Sequence, residues 1–221
     1  YFLSEKLERV IAGDITRLIV TMPPRHGKSE MASRRLPAYF LGKFPQKEII
    51  CATYNSDFAS EFGRNVREIV NAEEYMNVFP QLSIKTTDRA ADRWAVTQGG
   101  GFRAAGVGGG LTGRGGHLII IDDPIKSREE ADSKLQRDRV WDWYRSVVYT
   151  RQAPKCAFIV IQTRWHDDDL AGRLLTEAEG DGEQWDTVDF PAIATGSDIL
   201  GRDQGEALWP EWFPLPMLEQ V

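Results

Sequence analysis

Gly27, Lys28 and Ser29 sit in the string RLIVTMPPRHGKSE, from Arg17 to Glu30, and are residue types that together hold a polyphosphate. A glycine lets backbone N–H groups approach phosphate oxygens, a lysine reaches the β and γ oxygens, and a hydroxyl can hold Mg²⁺. The full phosphate-loop pattern is G-x-x-x-x-G-K-[ST], and here Met22 stands at the first glycine. The candidate cradle is therefore Pro24, Arg25, His26, Gly27, Lys28, Ser29 and Glu30. Two further groups carry polar chemistry at the end of an apolar run. HLIIIDD, His117 to Asp123, ends in two carboxylates, of which Asp122 suits the Mg²⁺ shell and Asp123 can orient a water. KCAFIVIQTR, Lys155 to Arg164, ends in Gln162, Thr163 and Arg164. Taken singly each is weak: Gly-Lys-Ser occurs by accident in turns, and an Asp pair after a strand is a common helix cap.

The elements that must position these groups follow from periodicity. Leu18–Met22, Glu48–Tyr54, His117–Asp123 and Lys155–Thr163 read as buried strands, with Trp185–Phe190 as a fifth. Helices are predicted over Ser4–Ala12, ended by Gly13, and from Lys28 through Leu41. Another runs from an Asn55 cap to about Val70, a long one spans Arg128–Val148 with Leu135, Val140, Trp143 and Val147 inward, and a last covers Leu170–Glu177. Strands alternating with helices predict an α/β fold with a mainly parallel sheet covered on both faces. In such sheets ligands bind beyond the carboxyl ends of the strands. The Lys28, Asp122–Asp123 and Thr163 stations all fall at such ends, which raises three weak signals to one strong reading, a nucleotide-hydrolysing site. Between Pro80 and Gly116 the short polar strands Ser83–Thr87 and Arg93–Thr97 and a glycine-dense stretch predict a hairpin-rich insertion, or a loop beside the nucleotide that carries Arg103 or Arg114. Trp141, Trp143 and Tyr144 are read as core, and Asp167, Asp168 and Asp169 as a helix N-terminus.

The 221-residue chain is long enough for one large domain, and its net charge of −6 excludes a generally basic nucleic-acid coat while allowing a local patch. No run approaches the roughly 18 apolar residues of a membrane span. Cys51 and Cys156 lie in apolar runs without zinc spacing and read as buried thiols in a reducing compartment.

The strings MPPRHGKSE, LTGRGGHLIIIDDPIKSREEA and IQTRWHDDDLAGRLL, spanning Thr21 to Leu175, resemble the ATPase domain of tailed-phage terminase large subunits. The resemblance implies a P-loop NTPase fold of the ASCE, RecA-like type, with ATP and Mg²⁺ as ligands. It implies as partners double-stranded DNA held by phosphate contacts, a portal protein, a small terminase subunit and further copies in a ring, with a monomer in isolation and no membrane. It places the protein in the cytoplasm of the infected bacterial host, transiently on the prohead and absent from the mature virion. It implies Lys28 on the β and γ phosphates, Ser29 and Asp122 on Mg²⁺, Arg25 near the γ-phosphate and Thr163 in the motif coupling hydrolysis to movement. Arg114 is the candidate arginine finger offered to a neighbouring subunit, with Arg103 or Arg128 next in line. The family's water-positioning acid is usually Glu; here Asp123 is favoured, with Glu129 or Glu130 as alternatives. Residues 1–190 are expected to form the ATPase domain and 191–221 a tail towards a nuclease domain that this chain does not contain, so no DNA cleavage is expected of it. A helicase-like translocase, a P-loop phosphotransferase and a non-hydrolysing scaffold are the competing readings.

Overall fold

Strands that are apolar at consecutive positions have no face to give to water, so helices must cover both sides. The structure, a computed structural model, describes residues 1–220 apart from Thr112, Arg114 and Ser197, and the side chains of Asp88 and Arg89 are also outside the description. Its parallel strands are β1 (Arg17–Thr21), β2 (Glu48–Thr53), β5 (Gly101–Gly106), β6 (Gly116–Asp122), β7 (Gln152–Gln162) and β8 (Asp186–Asp189). With β3 (Ile84–Arg89) and β4 (Arg93–Val96) they form one sheet in the order β3-β4-β5-β2-β6-β7-β1-β8. Only the β3–β4 and β4–β5 pairings are antiparallel.

Alternation along each strand divides the core in two. On one face Leu18, Val20, Ile49, Cys51, Ile120 and Ile161 pack against α1 (Phe2–Ala12), α2 (Leu36–Lys43) and α3 (Ser56–Asn71), which the short α4 (Glu73–Val78) follows. On the other, Ile19, Ile50, Ile121, Phe158 and Val160 pack against α6 (Lys134–Trp143) and α7 (Leu170–Ala178). Each large aliphatic side chain buried this way contributes roughly 1.5–3 kcal/mol. Cap chemistry agrees with the sequence: Gly13 closes α1 at a left-handed φ of 89°, and Asn55 Oδ1 accepts from Phe58 N at 2.8 Å to start α3. Among the described residues no helix is long and apolar enough to cross a membrane.

Three expectations need correction. The glycine-dense stretch is not only hairpin: residues 101–106 form β5, paired in parallel with β2 over six positions. Glycine hides this strand because its backbone runs too close to its neighbours for side chains; a Cβ on Gly101 would lie 2.6 Å from Trp94 O, and one on Gly106 2.4 Å from Ser56 N. The long helix is broken into α5 (Arg128–Asp132), α6 and a π-helical turn (Tyr144–Val148), because Ser133 adopts an extended backbone at ψ 110°. That break resets the helical phase, so Leu135, expected inward, is 75% exposed, whereas Val140 and Trp143 remain buried.

Close backbone approach also gives a stability prediction. A Cβ on Gly63 would lie 2.1 Å from Ala91 O, and Gly63 O accepts the indole N–H of buried Trp94 at 3.0 Å. Gly63→Ala is expected to push α3 off β4 and cost about 1–3 kcal/mol, measurable by urea denaturation.

Candidate active site

The carboxyl ends of three adjacent strands meet at one level. Thr21 of β1 is in register with Gln162 of β7, and Asp122 of β6 with Ile161 of β7. Residues immediately after these positions therefore face one another across β7, although Lys28 and Asp123 are far apart in sequence.

After β1 the loop needs left-handed backbone at Arg25 (φ 63°) and Gly27 (φ 86°), and a Cβ on Gly27 would meet nothing within 4 Å. Met22 is not among the residues of positive φ, which explains why the first glycine of the pattern is dispensable here. Helical backbone starts at Lys28 and then widens into a π-helical stretch, Glu30–Arg35, before α2. Pro37 supplies the reason. It has no N–H for the carbonyl four residues back, Ser33 O, and its ring disfavours regular α geometry there, so the ladder changes register.

Lys28 is 5% exposed and its Nζ pairs with Asp123 Oδ2 at 2.7 Å. Asp123, at a left-handed φ of 42°, accepts through Oδ1 from the backbone N–H of Thr163 at 2.8 Å. Thr163 Oγ1 donates to Met22 O at 3.2 Å. Asp123 thus ties the phosphate loop to the segment after β7. Asp122 is 1% exposed; its Oδ2 accepts from Ser33 Oγ at 2.6 Å, and the Ser29 hydroxyl is a further polar neighbour that favours its charged form. Burial, and then the charge of Asp123, push the Asp122 carboxyl up to about 6 against the pull of Ser33, Ser29 and Lys28. Asp122 Oδ1 is buried with no hydrogen-bond partner among the described residues. A carboxylate oxygen left open beside a hydroxyl is a donor set suited to a hard divalent cation, so Ser29 and Asp122 fit Mg²⁺.

The remaining expected residues are placed as follows. Glu30 ion-pairs with Arg35 at 2.7 Å and Arg34 at 3.3 Å on the outer side of the helix. Pro24 O takes His26 Nδ1 at 2.8 Å, and Arg25 is exposed. Glu130 Oε2 accepts from Lys126 N at 3.1 Å while Ser127 Oγ accepts from Glu130 N at 3.4 Å, a variant of the capping box that reaches the residue before the cap and occupies Glu130. Glu129 is exposed. Arg103 lies mid-strand, 3.8 Å from Glu48 at the start of β2, and Arg128 opens α5 just beyond the site. Arg114 lies outside the described residues. Asp169 caps α7 by accepting from Gly172 N at 2.9 Å, and Asp168 pairs with Arg137 and Arg173, so two of the three acids serve structure.

Two participants escaped sequence reasoning. Ser33 carries a signal in its spacing, four residues after Ser29 on one helix and hence on the same side. Phe213 carries none: its ring stacks on His26 at 4.5 Å and 24°, which joins the segment after residue 190 to the phosphate loop. That segment is held by an antiparallel bridge between Ile193 and Ala207 and by Leu208 N donating to Ala192 O at 2.8 Å.

Comparison with known proteins extends this geometry. A family described as "Terminase large subunit, T4likevirus-type, N-terminal" matches residues 19–216. Among solved structures, the large terminase ATPase domain of Thermus phage P74-26 superposes with a TM-score of 0.51 at 16% identity, over 67% of this chain and 59% of that one. An arginine-to-alanine mutant of that domain superposes with a TM-score of 0.62 at 14% identity, over 96% of this chain and 86% of the other. At these identities the likeness is one of fold. No curated protein matches the chain.

Proposed function

This chain belongs to the N-terminal family of T4-like terminase large subunits, and on that premise we propose that it is an Mg²⁺-dependent ATPase whose turnover drives double-stranded DNA into a prohead. The observation that carries the reading is the chain of contacts from Lys28 through Asp123 to Thr163 N, with the open Asp122 oxygen beside Ser29. Family membership favours packaging over the helicase-like, phosphotransferase and scaffold readings.

Ser29 and Asp122 would hold Mg²⁺, which would supply positive charge to the polyphosphate. The chain's own residues do the rest. Gly27 and its neighbours offer N–H groups at a helix start. Lys28, now paired with Asp123, moves its charge to the terminal phosphates, and Asp123, relieved of that lysine, accepts a hydrogen bond from the attacking water. Thr163 N–H keeps the carboxylate aimed, and through Thr163 the change at Asp123 passes to the start of the α7 segment. The capping box on Glu130 supports Asp123 over Glu130 in this role. Arg25 stands by the γ-phosphate, and Arg114 of one copy completes a neighbour's site. DNA, portal and small subunit are the proposed partners, with DNA held by phosphate contacts and therefore salt-sensitive. The bacterial cytoplasm is the place of action.

The test is Mg²⁺-dependent ATP hydrolysis as a function of protein concentration, for wild type, Asp123→Asn, Arg114→Ala and an equal mixture of the two variants. The expected result is a rate per subunit that rises with concentration, is lost in each variant and partly returns on mixing. A rate independent of concentration and of Arg114 would show a self-contained ATPase and refute the shared site.

A further inference from the structure

The phosphate chemistry occupies the carboxyl ends of the strands. At the opposite ends, where Arg17 opens β1 and Trp185 precedes β8, a cavity of about 630 Å³ lies on the face covered by α6 and α7. Its walls are the rings of Tyr144, Tyr149 and Trp185, and its rim carries Glu177, Asp181 and Glu183. That volume is far beyond what a metal ion needs and falls within the roughly 300–1,000 Å³ of ligand sites. We propose that this cavity receives an arginine side chain from an exposed basic segment of a protein partner. The proposal stands independently of the ATPase reading.

Three observations support it. First, Tyr144 is 2% exposed, and its hydroxyl neither finds a hydrogen-bond partner among the described residues nor is sealed from solvent. The cavity that Tyr144 lines is where this oxygen opens, and the charges it feels are those of Glu183, Arg17 and Glu177 around the same space. Burial, and then Glu183, hold the phenol well above its usual range, so it stays neutral and can accept an N–H. Second, the charges do not balance. Arg17 pairs with Glu183 and Arg145 with Glu177, each at 2.6 Å, whereas Asp181 has no ion pair among the described residues. Carboxylates only accept, so the cavity presents acceptors and ring faces to a donor-rich cation. Third, the same wall already holds one guanidinium. Arg17 lies 5.0 Å over the Phe158 ring and donates from Nε and Nη2 to the two oxygens of Glu183, and Phe158 lies 6.5 Å from Trp185 between ring centroids. A flat, forked and weakly hydrated guanidinium suits rings beside separate carboxylates better than a compact ammonium does. The net charge of −6 makes a basic partner a better match than a second copy of this chain.

NMR of the ¹⁵N-labelled chain, read at the Trp185 indole N–H and assigned with Trp185→Phe, tests this by titration with acetyl-Gly-Arg-Gly-amide. The citrulline and lysine analogues of that peptide and spermidine are the comparisons. The arginine peptide is expected to bind with a Kd on the order of 1 mM, the uncharged citrulline peptide about 10-fold more weakly and the lysine peptide about 3-fold more weakly. Asp181→Asn and Tyr144→Phe are each expected to weaken the arginine peptide about 5- to 10-fold. Asp181 is exposed, so its variant folds as wild type does, and Tyr144→Phe keeps its Tm because the hydroxyl it removes has no partner to lose. Binding of ADP with Mg²⁺ is expected to be unchanged in both. No saturable shift up to about 20 mM arginine peptide, equal binding of the citrulline peptide, or unchanged affinity in Asp181→Asn overturns the proposal. Spermidine binding as tightly as the arginine peptide assigns the cavity to a free polyamine and overturns the protein partner.

Discussion

Asp123→Asn lowers the rate of ATP hydrolysis about 10²- to 10⁴-fold, the range for a lost positioned acid–base group, and at the same time tightens nucleotide binding. The two effects have one cause. In the wild type the nearly buried Lys28 ammonium rests 2.7 Å from Asp123, so an incoming polyphosphate has to displace that carboxylate. Asparagine keeps an oxygen for Thr163 N–H but takes away the carboxylate paired directly with Lys28, and a buried cation without its close partner raises the free energy of the empty site. The polyphosphate then relieves a cost instead of breaking a pair, and ADP affinity is expected to rise on the order of 10-fold. Single-turnover hydrolysis together with ADP titration separates the two. Full turnover in Asp123→Asn alongside loss in Glu130→Gln would assign the water to Glu130 in spite of its capping box.

The second large effect is a gain of stability with a loss of activity. Asp122→Asn is expected to abolish Mg²⁺-dependent hydrolysis, because it removes the open carboxylate oxygen, yet to make the metal-free protein more stable at pH 8. Burial and the neighbouring Asp123 charge raise the Asp122 carboxyl from 3.8 to about 6, so the folded chain holds this proton more tightly than the unfolded one. The associated stability is fully present below about pH 4 and is lost as pH rises through about 6. Above that range the wild type carries a costly buried charge that asparagine lacks. The gain is on the order of 2–3 kcal/mol, or a rise in Tm of about 5–10 °C, and it shrinks to nothing towards pH 4. Melting curves in EDTA across this range measure it. A variant less stable than wild type at pH 8 would mean that the Ser33, Ser29 and Lys28 contacts outweigh the burial of charge.

How much of this was legible in the chain depended on the range of the interaction. Lys28, Ser29, Asp122, Asp123 and Thr163 could be brought to one place from sequence because each ends an apolar strand or follows it through a short loop, and parallel strands put such ends on one edge. The same argument yielded the two-faced sheet. Ser33 was within reach through its spacing from Ser29, but serine inside a helix usually bonds its own backbone, so the spacing carried little weight. β5 was hidden because its glycines answer to neighbouring backbone and leave no apolar alternation to read. The break at Ser133 turns on a single extended residue, and that is why Leu135 was placed on the wrong side. Phe213 on His26 is packing between distant parts of the chain, set by how the Ile193–Ala207 bridge folds the last segment back. Local pattern contains nothing of it.

The two rims of the sheet bear on how copies of the chain can associate. β8 is four residues long, DTVD, and its first aspartate pairs with Lys6 at 3.7 Å; β3 at the other rim reads IKTTDR. Short, charged border strands repel a second strand seeking the free backbone groups. Copies are thereby kept from fusing into a continuous ladder, the route to irreversible aggregation. Any contact between copies would fall to side chains and loops, which can part and meet again without melting secondary structure.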